Sequence, residues 1–167
     1  MLPIVLSQNA PVGLAGQGDA LGRRASLLLA SGITPLLLAS DADGAALGGL
    51  ALVFIAGLEE DKARALALRA RAAGALVNVE DVTELCDFHV PAIVRRGDLT
   101  LTVSTGGKVP GLARHFREWL ESRVGPEWED RIAALSAART EWRAAGHAPG
   151  EVSRLTRERV VQEGWLS

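Results

Sequence analysis

One cysteine, Cys86, stands in 167 residues. An internal disulfide is therefore excluded, and a reducing cytoplasm is the simpler home. No apolar stretch reaches the roughly 18 unbroken residues of a membrane span. The first ten residues lack a basic start followed by an apolar core, so no secretory signal is expected. Strong charge is missing too. A formal net charge of -2 offers nothing global to a nucleic acid. Three histidines, His89, His115 and His147, are too scattered in sequence to argue for a ligand set, and no metal site is expected. Internal repeats and low-complexity tracts are absent.

What is present is apolar substance and a local charge asymmetry. About half of the residues are apolar (48%), enough for a sizeable core. Residues 1–87 carry a balance of -4, residues 88–124 one of +3, and residues 125–167 one of -1. The middle segment holds a Thr-Gly-Gly-Lys turn. Local positive charge favours an anionic ligand, although a solvated helix face gives the same count.

Strands and helices alternate through the first half. Pro11–Gly16 reads as a buried strand and Asp19–Gly32 as a helix with Leu21, Ala25, Leu28 and Leu29 on its apolar face. Ile33–Ser40 reads as a strand that Pro35 pushes towards an edge or a bulge. Asp41–Gly49 is a turn-rich connector and Leu50–Gly57 a fully apolar strand. Glu59–Gly74 is a helix with acids at its start and arginines further on, which suits the macrodipole. Ala75–Val79 is a fourth strand. This order predicts an α/β fold with a parallel sheet and right-handed crossovers. Phe88–Gly107 then reads as two extended segments around Arg96-Gly97-Asp98. From Val109 the chain is helical, with apolar positions at Val109, Leu112, Ala113, Phe116, Leu120 and Val124. Two more helices follow near Glu127–Ala145 and Glu151–Glu163. Trp119, Trp128, Trp142 and Trp165 fall in or near these helices and read as packing residues.

Gly16-x-Gly18 lies directly between a strand and a helix, the context of a dinucleotide fingerprint. The first glycine permits the tight turn. The second lets the backbone approach a pyrophosphate seated on the helix N-terminus. The third small position falls at Leu21. Asp41 follows the second strand, where an acid can bond a ribose hydroxyl; Asp41-Ala-Asp43-Gly44 also reads as a plain turn. Asp81 closes the fourth strand. It reads either as a catalytic carboxylate or as a helix N-cap with Glu84 three residues later. Cys86 and Phe88 read as core.

Leu2–Leu6 ("LPIVL"), Gly16–Gly32 ("GQGDALGRRASLLLASG") and above all Asn78–Arg114 resemble the N-terminal module of siroheme synthase. That family comprises precorrin-2 dehydrogenases, some of which are also sirohydrochlorin ferrochelatases. Its signature runs close to N-V-V-D-D-P-E-L-C-D-F-x-V-P-A-I-V, then S-T-G-G-K-S-P-x-L-A-R. The resemblance implies oxidation of precorrin-2 to sirohydrochlorin with NAD in siroheme or cobalamin biosynthesis, in some members followed by Fe2+ insertion. It implies a homodimer of three regions: a trimmed Rossmann-like NAD-binding domain at 1–87, a dimerisation region at 88–108 and a C-terminal helical domain at 109–167. Residue by residue, Gly16, Gly18, Asp19 and Ala20 would line the pyrophosphate, with Ser40 and Asp41 near the ribose. Asp81 falls on the catalytic aspartate. Ser104, Thr105, Gly106, Gly107 and Lys108 fall on the loop facing the tetrapyrrole, with Arg114 or Arg117 able to meet its carboxylates.

Three departures gather in the nucleotide half. Leu21 replaces a small residue. "DADGAALGG" stands where the family has a further strand and its crossover. "GLEED" (Gly57–Asp61) replaces an acidic Thr-Asp-Asp turn. Two classes therefore stand: an NAD-dependent oxidoreductase, and a non-oxidising tetrapyrrole binder acting as chelatase or carrier. Neither involves nucleic acid or membrane.

Overall fold

A computed structural model describes Leu6 and residues 9–166. Leu2–Val5, the greater part of the LPIVL match, lie outside the described residues. The chain divides into two compact units, Met1–Val90 and Pro91–Ser167.

The first unit holds four parallel strands: β1 (Val12–Gly16), β2 (Leu36–Leu38), β3 (Leu52–Ala56) and β4 (Leu76–Val79). Their order is β2-β1-β3-β4. Helices α1 (Gly18–Leu29), α2 (Gly44–Leu47) and α3 (Glu60–Ala72) make the crossovers. Both faces are covered, so the inner strands are apolar on both sides rather than alternating with polar residues. Val12, Leu14, Leu52 and Phe54 form one core with Leu28 of α1. Ala15, Val53, Ile55 and Val77 form the other with Leu47 of α2 and Leu66 of α3.

The expected Ile33–Ser40 strand contracts to three residues at the sheet edge, just after Pro35, in keeping with proline's missing N–H donor. Leu36 and Leu37 of this edge strand are 55% and 69% exposed. The connector after β2, read as turns alone, contains α2. Asp43 caps that helix, its Oδ1 accepting from the Ala45 and Ala46 amides at 3.0 and 2.9 Å.

In the second unit β5 (Ala92–Arg96) and β6 (Leu99–Val103) form an antiparallel hairpin turning at Gly97-Asp98. Leu99, Leu101 and Val103 turn inward between exposed Thr100 and Thr102. Helices α4 (Pro110–Arg123), α5 (Trp128–Ala144) and α6 (Pro149–Gln162) follow. Arg96 donates from Nε to the Val124 carbonyl at 2.8 Å and from Nη2 to that of Glu121 at 3.3 Å, covering open carbonyls at the end of α4. Trp128 and Trp165 meet edge to face at 6.3 Å and share the Arg131 guanidinium, a packing arrangement. On α4 the expected apolar face is only partly used. Ala113 is buried, whereas Val109, Leu112, Phe116 and Trp119 form an exposed stripe.

Candidate functional site

The chain steps from β1 outward to β2, then crosses back to β3 on the other side of β1. The carboxyl ends of β1 and β3 therefore flank a topological switch point, where open α/β sheets bind ligands. Two turns interlock there. A Cβ on Gly16 would lie 2.1 Å from the Ala56 carbonyl oxygen, which itself accepts from the Gln17 amide at 3.1 Å. Opposite, Gly57 has φ 72°, and a Cβ there would lie 2.5 Å from the Gln17 carbonyl oxygen and 3.0 Å from Ala20 Cβ. Close helix–strand packing is thus made by Ala20 against Gly57. Leu21, one residue on, turns its side chain to the α1 core instead. Gly57 escaped the sequence reading because its partner lies 40 positions back.

At the mouth of this turn α1 begins without a side-chain cap on Gln17. Gly18, at φ 62°, has nothing within 4 Å of where a Cβ would stand, and Asp19 is exposed in the first turn. Uncapped N–H groups at a helix start, approached over a glycine, suit a pyrophosphate. Arg24 and Arg23 of α1 reach Glu80 at the end of β4, at 3.9 and 3.8 Å, and Arg24 lies over the Phe54 ring.

Ser40 and Asp41 leave β2 beside this turn, since Ala15 of β1 pairs with Leu38 of β2. They line an open pocket of about 390 Å³ together with Lys62, Ala65 and Arg69 of α3. Arg69 donates from Nε to the Ala42 carbonyl at 2.9 Å and from Nη2 to that of Ser40 at 3.3 Å. The two acids of the DAD turn divide their work: Asp43 caps α2, and the exposed Asp41 faces the pocket. Lys62 and Arg69 were not legible as site residues, because nothing local to Ser40 and Asp41 points to a helix more than twenty positions on.

Asp81 follows β4 and is the one non-glycine residue at positive φ (63°) among the described residues. Aspartate tolerates that region better than most side chains, and such conformations concentrate at functional sites. Its neighbours fix it. The Cys86 thiol donates towards the Val79 carbonyl (3.1 Å) and accepts from the Val79 amide (3.3 Å). Buried Asn78 donates from Nδ2 to the Phe88 carbonyl at 3.0 Å. Asp87 accepts from the Val77 amide at 2.9 Å and from Arg71 at 3.0 Å. Phe88 sets its ring edge-on to Phe54 at 5.3 Å. Asn78, Cys86, Asp87 and Phe88 of the long motif are therefore structural, and they present Asp81 to solvent with no side-chain bond among the described residues. The N-cap alternative does not hold. The 3-10 turn Thr83–Leu85 has Val82 as its N-cap and no side-chain cap.

In the second unit, Gly106 and Gly107 stand at φ 64° and 77°. Ser104 Oγ accepts from the Gly106 amide and Thr105 Oγ1 from that of Val109, both at 3.2 Å, which shapes the loop before α4. Lys108 donates its amide to the Thr105 carbonyl at 3.2 Å, and its exposed side chain has no partner among the described residues. Arg114 and Arg117 are tied to acids of their own helix, Arg114 to Glu118 at 3.0 Å and Arg117 to Glu121 at 2.6 Å. The Arg114 pair is exposed, so it is weak and exchanges readily for another carboxylate, whereas the Arg117 pair is half-buried. Among the described residues, no three His, Cys, Asp or Glu side chains gather as a metal site, and no helix is long and apolar enough to cross a membrane.

Comparison with known proteins agrees with this layout. The chain is 34% identical to the siroheme synthase of Methylobacillus flagellatus, over 96% of its own length and 39% of that protein. It is 35% identical to the siroheme synthase of Chromobacterium violaceum, over 75% of its length and 31% of that protein. It thus spans about two fifths or less of the relatives it matches. Among solved structures, SirC, precorrin-2 dehydrogenase, superposes with a TM-score of 0.75 at 18% identity, covering 100% of this chain and 93% of that one, which speaks for the fold. Residues 4–92, more than half of the chain and including the whole interlocked turn, match the family described as "Putative NAD(P)-binding", and this chain belongs to that family.

Proposed function

We propose that this chain oxidises precorrin-2 to sirohydrochlorin with NAD, in the cytoplasm, as a homodimer. The observation that carries the reading is Asp81: a solvent-facing carboxylate on left-handed backbone, held at the end of β4 by the bonds of Asn78, Cys86 and Asp87. The reaction removes a hydride and a proton from the tetrapyrrole. Bound nicotinamide supplies the hydride acceptor. Asp81 takes the proton as general base. The uncapped start of α1, with Gly16, Gly18, Asp19 and Ala20, would hold the pyrophosphate, and Ser40 and Asp41 the adenosine ribose. Lys108 and the amide of Gly107, on the loop shaped by Ser104, Thr105 and Gly106, suit the carboxylates of the pigment, and Arg114 can release Glu118 to meet another.

The exposed stripe Val109, Leu112, Phe116 and Trp119 supports association with a second copy. Sedimentation at micromolar concentration reads this directly, and a monomer would refute it. The uncovered edge at Leu36 and Leu37 supports a second reading, a tetrapyrrole chelatase or carrier that no longer oxidises. There the macrocycle nitrogens hold the incoming iron, and Asp81 accepts the pyrrole protons.

Single-turnover NADH formation from precorrin-2 without oxygen separates the readings. Asparagine is isosteric with aspartate and tolerates the same backbone region, so Asp81→Asn should keep fold and pigment affinity while the rate falls about 10²–10⁴-fold. An unchanged rate would sink the catalytic assignment. Wild-type protein that binds pigment and makes no NADH would turn the conclusion to the second reading.

A further inference from the structure

Asp41 in the short β2–β3 connection is an acid that can bond a ribose hydroxyl, yet the pocket it borders contains opposed charges. Asp41 faces Lys62 and Arg69 across one opening. An acid there favours ribose hydroxyls and repels a 2′-phosphate; two bases do the reverse. The outcome depends on where Asp41 is held. Its two neighbours are held by one side chain. Arg69 binds the Ser40 carbonyl before it and the Ala42 carbonyl after it. The Ala42 amide also donates to the Ala39 carbonyl at 3.1 Å, closing a turn across Asp41. Both carbonyls are reached from 27 to 29 positions away in sequence. Among the described residues, no strand beyond β2 backs this loop.

We propose that Arg69 is a positioning residue for dinucleotide selectivity: its guanidinium clamps the Ser40–Ala42 turn so that Asp41, rather than Lys62, meets the adenosine ribose, and so favours NAD over NADP. This rests on the nucleotide-binding reading above. A planar guanidinium can bond two carbonyls at once through Nε and Nη2. A lysine ammonium keeps the charge but lacks that fixed fork. Charge and clamp can therefore be separated.

Titrate NAD+ and NADP+ by calorimetry into wild type, Arg69→Lys and Arg69→Gln. The ratio of two affinities on the same variant is the readout, since a general loss of folded protein cancels from it. Wild type should prefer NAD+. Arg69→Lys should weaken NAD+ about tenfold, the usual scale for losing a bond to a charged group, and NADP+ much less, so the preference falls about tenfold. Arg69→Gln should move the ratio in the same direction. If Arg69 acted by charge alone, Arg69→Lys would leave the ratio unchanged and Arg69→Gln would raise the NAD+ preference; either result overturns the proposal. Asp41→Asn should abolish the preference in wild type and have a smaller effect on Arg69→Lys, where Asp41 is no longer held against the ribose. Full additivity of the two substitutions would also overturn it. Wild type that binds neither nucleotide overturns the nucleotide reading itself, which is a different result from binding without a change of ratio.

Discussion

The interlocked glycines permit a test in which steric and conformational costs are separated. Gly18→Ala places its Cβ in open space, so only the left-handed φ of 62° costs, about 1–2 kcal/mol. Gly16→Ala is the opposite case. Its φ is ordinary, but its Cβ would stand 2.1 Å from the Ala56 oxygen, a backbone atom that cannot rotate away. Relief requires parting β1 from β3 at their carboxyl ends, where Gly16 pairs with Ala56, and loosening the Gln17 to Ala56 bond. Overpacking costs about 1–3 kcal/mol and a lost backbone bond about 1 more, giving roughly 2–4. Gly57→Ala combines a φ of 72° with a 2.5 Å clash and should cost roughly 2–5 kcal/mol, a large share of a typical domain's stability. Urea unfolding followed by far-UV circular dichroism measures this. All four tryptophans lie in the second unit, so their fluorescence follows that unit and serves as the reference signal. Nucleotide affinity adds a second axis. On the proposed nucleotide reading, Gly18→Ala should lose binding at small cost in stability, because that reading seats the pyrophosphate over Gly18. If Gly16→Ala proves as stable as wild type, or Gly18→Ala the least stable of the three, the interlock argument is wrong.

Other expectations follow from single contacts. Asp87→Ala leaves the buried Val77 amide without its acceptor and should cost about 1–3 kcal/mol, while Asp87→Asn keeps an acceptor and should cost less; equal losses in chemical denaturation would contradict this. Lys108→Ala should leave stability within about 0.5 kcal/mol and weaken pigment binding roughly tenfold with little change in single-turnover rate; a rate loss at unchanged affinity would remove it from the binding role. The hydrogen bond and charge of His147 (ring nitrogen 2.9 Å away), and secondarily the charge of Arg154, hold the Glu151 carboxyl below its ordinary range. A depressed carboxyl stabilises above its unfolded pKa and loses that contribution as pH falls through the lowered value. The melting temperature of His147→Ala should therefore lie below wild type at neutral pH and converge with it in acid; a constant gap would show that the pair is not the cause.

Periodicity and turn chemistry by themselves determined the four strands, α1 and α3 of the first unit, the hairpin and the three later helices, though not the short α2, because strand and helix periods depend on near neighbours. Pro35 pointed β2 towards an edge or a bulge, and the sheet order shows the edge. Gly16-x-Gly18 marked the turn between β1 and α1, and the long motif from Asn78 marked Asp81. The sequence could not divide that motif into residues that hold and the residue that is held. Only the folded turn shows Asn78, Cys86 and Asp87 bonded inward and Asp81 turned outward, with Val82 in the cap position expected of it. Nor could it show that Asp43 caps a helix while Asp41 faces a pocket, since both suit a turn equally well. Gly57, Lys62 and Arg69 joined the candidate site through partners 21 to 40 positions distant, fixed by which strands lie side by side. The exposed leucines of β2 and the uncovered stripe of α4 belong to the same category. An apolar residue in sequence announces a wish for burial, and tertiary packing alone decides which of them obtain it.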